Sequence, residues 1–195
     1  MDRVIVYVDY QNVYNWARRM FVDNPKDAKP VEGHIRPEKL GELLVGRRQR
    51  PGALEQVRVY RGRPNPAREP KATRANDRQT DSWQRHDRVK VIRRDLKYRD
   101  RAASEKGIDV AIGVDMIRLA MEDRMDVAVL FSSDNDLLPA VEVLWNLPNT
   151  TIELATWAGA PRLQLPDTDS SCAHSLSIRD YEQLHDPVDH AARQA

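Results

Sequence analysis

The chain has 195 residues, 41% of them hydrophobic and 31% charged, with a formal net charge of +1; that length suits one substantial core, and the balance is that of a water-soluble globular domain. The apolar runs Val4 to Val8 and Val127 to Phe131 are strand-sized, far short of the roughly 20 residues that span a bilayer, and the start through Asp2 and Arg3 does not read as a secretory signal. Cys172 is the single cysteine, which excludes an intrachain disulfide and a multi-cysteine zinc site; a reducing, cytoplasmic setting is expected, with Cys172 a small, partly buried apolar residue.

Val4 to Val8 is a continuous β-branched run ended by Asp9, the pattern of a strand buried on both faces of a parallel sheet. Val13, Trp16, Ala17 and Met20 then recur at helical offsets over Gln11 to Met20. After a loop at Asn24 to Pro30, Pro37 suits the first turn of a second helix through Leu40, Leu43 and Leu44, which Pro51-Gly52 ends. Val57 to Tyr60 reads as the second strand. The charged stretch from Arg61 to Thr73, with three prolines, reads as an irregular, mobile loop. Asn76 or Asp77 is placed to cap a helix ending near Arg88, before a third strand at Val89 to Ile92, and Leu96 to Glu105 reads as a polar loop. Ile108 to Met121 is an amphipathic helix, Val127 to Phe131 a fourth strand, Asp136 to Trp145 a helix and Thr151 to Ala155 a fifth strand. Leu176 to Ile178 reads as a short strand or edge segment, and the last ten residues as frayed. This alternation predicts an α/β fold with a mostly parallel central sheet of about five strands, flanked by helices.

Charge is unevenly spread. Between Arg58 and Lys106 sixteen Arg and Lys face seven Asp and Glu, a surplus of nine, whereas the segment after Pro166 carries Asp167, Asp169, Asp180, Glu182, Asp186 and Asp189. A basic middle fits a polyanionic partner such as RNA, and it fits a solvated charged face equally well. Trp83 and Tyr98 lie in that stretch. Both have the chemistry to stack on unpaired bases, although packing suits Trp83 better.

In an open parallel sheet, ligands gather beyond the carboxyl ends of the strands. Asp9 ends the first strand there, and Ser132-Ser133-Asp134-Asn135-Asp136 follows the fourth. Gly107 permits a tight turn that delivers Asp109 into the first turn of the next helix, where the helix dipole favours an acid. Asp115, six residues on, is about 240° further round and points elsewhere. Taken singly, Asp9 and Asp134 are ordinary helix caps and Asp109 and Asp136 ordinary first-turn acids. Four acids converging from three segments are a stronger signal, because crowded carboxylates repel one another unless a cation neutralises them, and hard oxygen ligands suit Mg²⁺ or Mn²⁺.

Other chemistries fail on residues. An EF-hand loop from Asp134 would need glycine and glutamate where Pro139 and Trp145 stand. There is no phosphate-binding glycine-rich motif, the five histidines lack zinc spacing, and Ser132 or Ser133 has no nucleophile elbow.

Three blocks, Asp9-Tyr10-Gln11-Asn12, Lys106-Gly107-Ile108-Asp109-Val110 and Ser132-Ser133-Asp134-Asn135-Asp136, resemble in order and spacing the signature blocks of NYN domains, a family of the PIN-like metal-dependent nuclease superfamily. The resemblance covers roughly Val4 to Ala155. It implies a Rossmann-like PIN fold over residues 1–160, with 161–195 as a C-terminal extension, and hydrolysis of RNA. It further implies Asp9, Asp109, Asp134 and Asp136 as catalytic metal ligands, with Asn12 and Ser133 holding those acids or the scissile phosphate by hydrogen bonds. Lys106, before the turn, suits contact with the substrate backbone and a solvated position equally well. Ser133 departs from the glycine of many members. Two other readings stay open: an RNA-binding module without catalysis, and a phosphatase of the haloacid dehalogenase type, which would want Asp-x-Asp where Asp9-Tyr10-Gln11 stands. A homodimer is plausible on general grounds alone.

Overall fold

The computed structural model describes residues 1–24, 27–100, 102–164 and 174–192; Cys172, Asp167 and Asp169 lie outside the described residues. Strand β1 (Asp2–Asp9) leads into helix α1 (Tyr10–Phe21) and α2 (Pro37–Gly46), then β2 (Gly52–Arg63), α3 (Pro70–Trp83), β3 (Val89–Asp95) and a hairpin of β4 (Lys97–Arg99) and β5 (Ala102–Ser104). Helix α4 (Ile108–Met121), β6 (Val127–Phe131), a 3₁₀ turn (Asn135–Leu137), α5 (Leu138–Trp145), β7 (Thr151–Trp157), β8 (His174–Leu176) and α6 (Ile178–Leu184) complete the order. The main sheet runs β3-β2-β1-β6-β7-β8 with every pairing parallel. No helix among the described residues is long and apolar enough to cross a membrane.

Alternation along β1 builds the three layers. Val4, Val6 and Val8 enter one core, shared with Val13 and Ala17 of α1, Leu40 and Leu44 of α2 and Trp83 of α3. Ile5 and Tyr7 face the other, where Ile112 and Met116 of α4 and Val141 and Leu144 of α5 cover the sheet. The period of two sends successive side chains to opposite faces, and helices on both faces account for the unbroken apolar runs. The chain closes on itself through its C-terminal segment: Asp180 pairs with Arg47, the Tyr181 hydroxyl accepts from the Gly33 N–H (2.7 Å), and the Leu184 carbonyl accepts from the Arg36 N–H (2.8 Å).

Three segments differ from expectation. Arg61 to Thr73 is not a loop throughout: β2 continues to Arg63, and α3 starts at Pro70 and ends at Trp83, so Asn76 and Asp77 lie inside the helix rather than at its cap. The buried face of α3 is polar, with Thr73, Asn76, Gln79 and Thr80 all buried, so an apolar period could not reveal it. The Asn76 amide donates to the Gly62 carbonyl (3.0 Å), and Asp77 pairs with Arg63 and Arg93. The stretch from Leu96 to Glu105 contains the antiparallel β4–β5 hairpin, turned by Asp100 at φ 56°. Near the C-terminus β8 adds a sixth strand but ends at Leu176, and Ile178 begins α6.

The packing of α1 against residue 34 carries a pH dependence. The His34 Nδ1 is 2.6 Å from the Tyr10 hydroxyl, and its ring stacks against Tyr10. Burial, reinforced by Arg61, His190 and His185 and opposed by Asp186, lowers its pKa to about 4. A depressed histidine pKa means that the unfolded chain binds the proton first. Stability is therefore lost as pH falls from about 6.5 through about 4, by about 3 kcal/mol. Urea titrations of wild type and His34→Asn should diverge across that window and run parallel above pH 7; parallel curves throughout would remove His34 as the cause.

Candidate metal centre

Asp9, Asp109 and Asp134 bring one carboxylate oxygen each to within 4.8 Å of one another. Neighbouring parallel strands make this possible. β1 and β6 pair with Val8 opposite Phe131, so Asp9 and the Ser132–Asp136 loop emerge side by side. Gly107, at φ 74°, caps α4 in the left-handed region that glycine adopts without strain, and its turn places Asp109 in the first turn of α4.

The capping roles and the convergence hold together. Asp9 is the N-cap of α1, its Oδ1 accepting from the Asn12 N–H at 3.4 Å. Asp134 caps the 3₁₀ turn, its Oδ1 accepting from the Asp136 N–H at 3.0 Å. A cap fixes where the carboxylate stands, so each local bond also presets the cluster. Asp136 is exposed and outside the close trio, yet near enough for its charge to raise the pKa of Asp109.

Electrostatically the site is under load. Asp9 is 4% exposed, and burial pushes its carboxyl up to about 7, against hydrogen bonds from Ser132 and Asn12 and with added repulsion from Asp109 and Glu105. Asp109 is raised by burial and by Asp134 and Asp136. Crowded, desolvated carboxylates of this kind are neutralised by protons or by a cation. The donor set consists of carboxylate oxygens, which fits a hard divalent cation and lacks the nitrogen or sulfur typical of zinc.

Of the other expected residues, Asn12 accepts from the Ser133 N–H through its Oδ1 (3.0 Å), tying the α1 start to the acid loop. The Ser133 hydroxyl turns away towards Thr156 (3.1 Å). Lys106 is exposed on the turn before Asp109. Asp115 lies away from the cluster, bound to Arg58, Tyr60 and Arg118. Trp83 is buried against Tyr10, and Tyr98 sits beneath Arg68 with its hydroxyl on Glu69 (2.6 Å).

Two participants escape a reading of the sequence. Ser132 donates to Asp9 Oδ2 at 2.8 Å and accepts from the Asp134 N–H at 3.1 Å, bridging two acids of the trio. Glu105, held by the Gly62 N–H, adds its charge to Asp9 and is itself raised mainly by burial. The only signal for either is adjacency: Ser132 directly follows an apolar strand, and Glu105 opens the block that contains Gly107 and Asp109.

The NYN domain family matches residues 3–162. A crystal structure of a protein of unknown function from Vibrio parahaemolyticus is similar in fold, with a TM-score of 0.59 and 18% sequence identity, covering 91% of this chain and 93% of that one. No curated protein matches.

Proposed function

This chain belongs to the NYN domain family, and from that premise we propose that it is a metal-dependent ribonuclease acting through Asp9, Asp109, Asp134 and Asp136. The observation that carries the proposal is the meeting of Asp9, Asp109 and Asp134 within 4.8 Å at the carboxyl edge of the sheet. Mg²⁺ or Mn²⁺, when bound, would supply a Lewis acid for the phosphate and lower the pKa of water towards neutrality.

The chain's own groups have separable roles. Asp109 and Asp134 offer the more accessible oxygens to the cation, and Asp9 is the fixed anchor, held by Ser132 and Asn12. Asp136, exposed at the rim, is the acid placed to orient an attacking water. Asn12 holds the loop at Ser133, and Lys106 stands where it can contact the RNA backbone. Water attack needs no 2′-hydroxyl and leaves a 5′-phosphate and a 3′-hydroxyl.

Labelled single-stranded and structured RNAs incubated with the protein in Mg²⁺, Mn²⁺ or EDTA, beside Asp134→Asn, test the proposal. Cleavage that needs the cation and is lost in the variant is the expected result. Binding without cutting under every cation would leave an RNA-binding module, and hydrolysis of a small phosphate ester in place of RNA would indicate a phosphatase.

A further inference from the structure

Strand alternation sorts the basic middle of the chain into spent and unspent charges. Arg63 and Arg93 are paired with Asp77, Arg58 with Asp115, and Arg61 is half-buried over the rings of Tyr10 and Trp83. On the opposite face of the edge strand β3 from Arg93, Lys90, Ile92 and Arg94 line one wall of a cleft of about 420 Å³, with Val110 and Val114 of α4 on the other and the Arg58–Asp115 pair, with Tyr60, also lining it. Lys90 and Arg94 are exposed and have no ion-pair partner among the described residues. Val110 and Val114, two apolar side chains of α4, are 66% and 60% exposed.

The cleft adjoins the acids. The Arg94 side chain lies along Gly107, where an added Cβ would stand 3.8 Å from the guanidinium Nη1, and Gly107 is two residues before Asp109. Lys90 is four residues further back along β3, about 13 Å at the rise of a strand. The cleft thus presents a cation against the Gly107 turn, a second cation further back along β3, and the apolar Ile92 between them.

We infer that this β3–α4 cleft holds the single-stranded RNA segment flanking the scissile phosphate, with Arg94 on the nearer phosphate, Lys90 on a more distant one, and Val110 and Val114 against a base or ribose. The inference rests on the ribonuclease proposal. Two separated cations on one wall favour a polyanion over a second copy of this chain, which would have to bury both charges.

Binding of a fluorescein-labelled ten-nucleotide RNA, followed by anisotropy in Mg²⁺ and in the Asp134→Asn background, tests it. Arg94→Ala and Lys90→Ala should each weaken binding about three- to tenfold and lower the slope of log affinity against log salt by roughly 0.7. Val114→Glu should weaken binding as well. Arg124→Ala, which removes an exposed charge from the turn before β6, at the amino end of that strand, should change affinity less than twofold. If the wild type cuts RNA while Arg94→Ala and Lys90→Ala bind like Arg124→Ala, the cleft assignment falls and the ribonuclease proposal stands. Failure of the parent to bind or cut any RNA overturns both. A dimer in sedimentation that Val114→Glu dissociates, with RNA affinity unchanged in Arg94→Ala, would give the cleft to a second copy.

Discussion

Asp9→Asn is expected to lower cation-dependent RNA cleavage by about a thousandfold or more, a loss of about 4 kcal/mol in transition-state stabilisation, while the protein stays folded. Asparagine fills the same volume. Its carbonyl can accept from the Asn12 N–H and its amide can face the Ser132 hydroxyl, so the local bonds of the wild type have counterparts. What disappears is a buried negative charge beside Asp109 and Asp134. In EDTA the same substitution should raise the urea midpoint, because burial opposes the charged form of Asp9. Activity within tenfold of wild type would remove Asp9 from the cation-binding set. Lost activity together with a lowered midpoint in EDTA would make its role structural.

Arg58→Met is expected to destabilise the fold by about 3 kcal/mol, read as a drop in the urea midpoint at unchanged slope. The Arg58 side chain is 7% exposed and Asp115 14%; the Arg58 guanidinium donates to Asp115, as the Tyr60 hydroxyl does. Removing the cation strands a half-buried carboxylate, and breaking such pairs costs about 3–5 kcal/mol. The lower figure applies because Arg118 also pairs with Asp115 (2.7 Å). Adding Asp115→Leu to Arg58→Met should recover much of the loss, since an apolar pair of similar volume needs no compensating charge. A single variant as stable as wild type would show that the pair contributes nothing net.

The sheet was legible because its strands are buried on both sides, so apolar runs such as Val4 to Val8 and Val127 to Phe131 had no competing explanation. The strand-end acids and Gly107 were legible for a related reason: topology alone sends Asp9 and Asp134 to one edge, and glycine takes up a positive φ, here 74°, without strain. What stayed hidden is polar burial. Helix α3 faces β2 with Thr73, Asn76, Gln79 and Thr80, and its first turn lies among charges and prolines that resemble a loop. The β4 and β5 strands are three residues each, and Ala102 to Ser104 is exposed throughout, so no alternation marks the hairpin. Ser132 and Glu105 were missed because their work lies in whom they touch, Asp9 above all, and a spacing rule does not report that. Capping and metal binding looked like competing explanations for Asp9 and Asp134; in the folded chain the cap is what aims the carboxylate.

The strand order β3-β2-β1-β6-β7-β8 also sets a timetable. On the ribosome the first three strands to emerge are neighbours in space as well as in sequence, and they can pair once Asp95 has cleared the exit tunnel. One edge of β1 then stands bare until β6, whose last residue is Phe131, arrives to cover it. Asp9 belongs to the early half of the sheet, and Asp109 and Asp134 to the part that docks later. A nascent or truncated chain ending before β6 carries two acids of the trio without the strand pairing that brings them to the third, so the cluster is a property of the finished sheet.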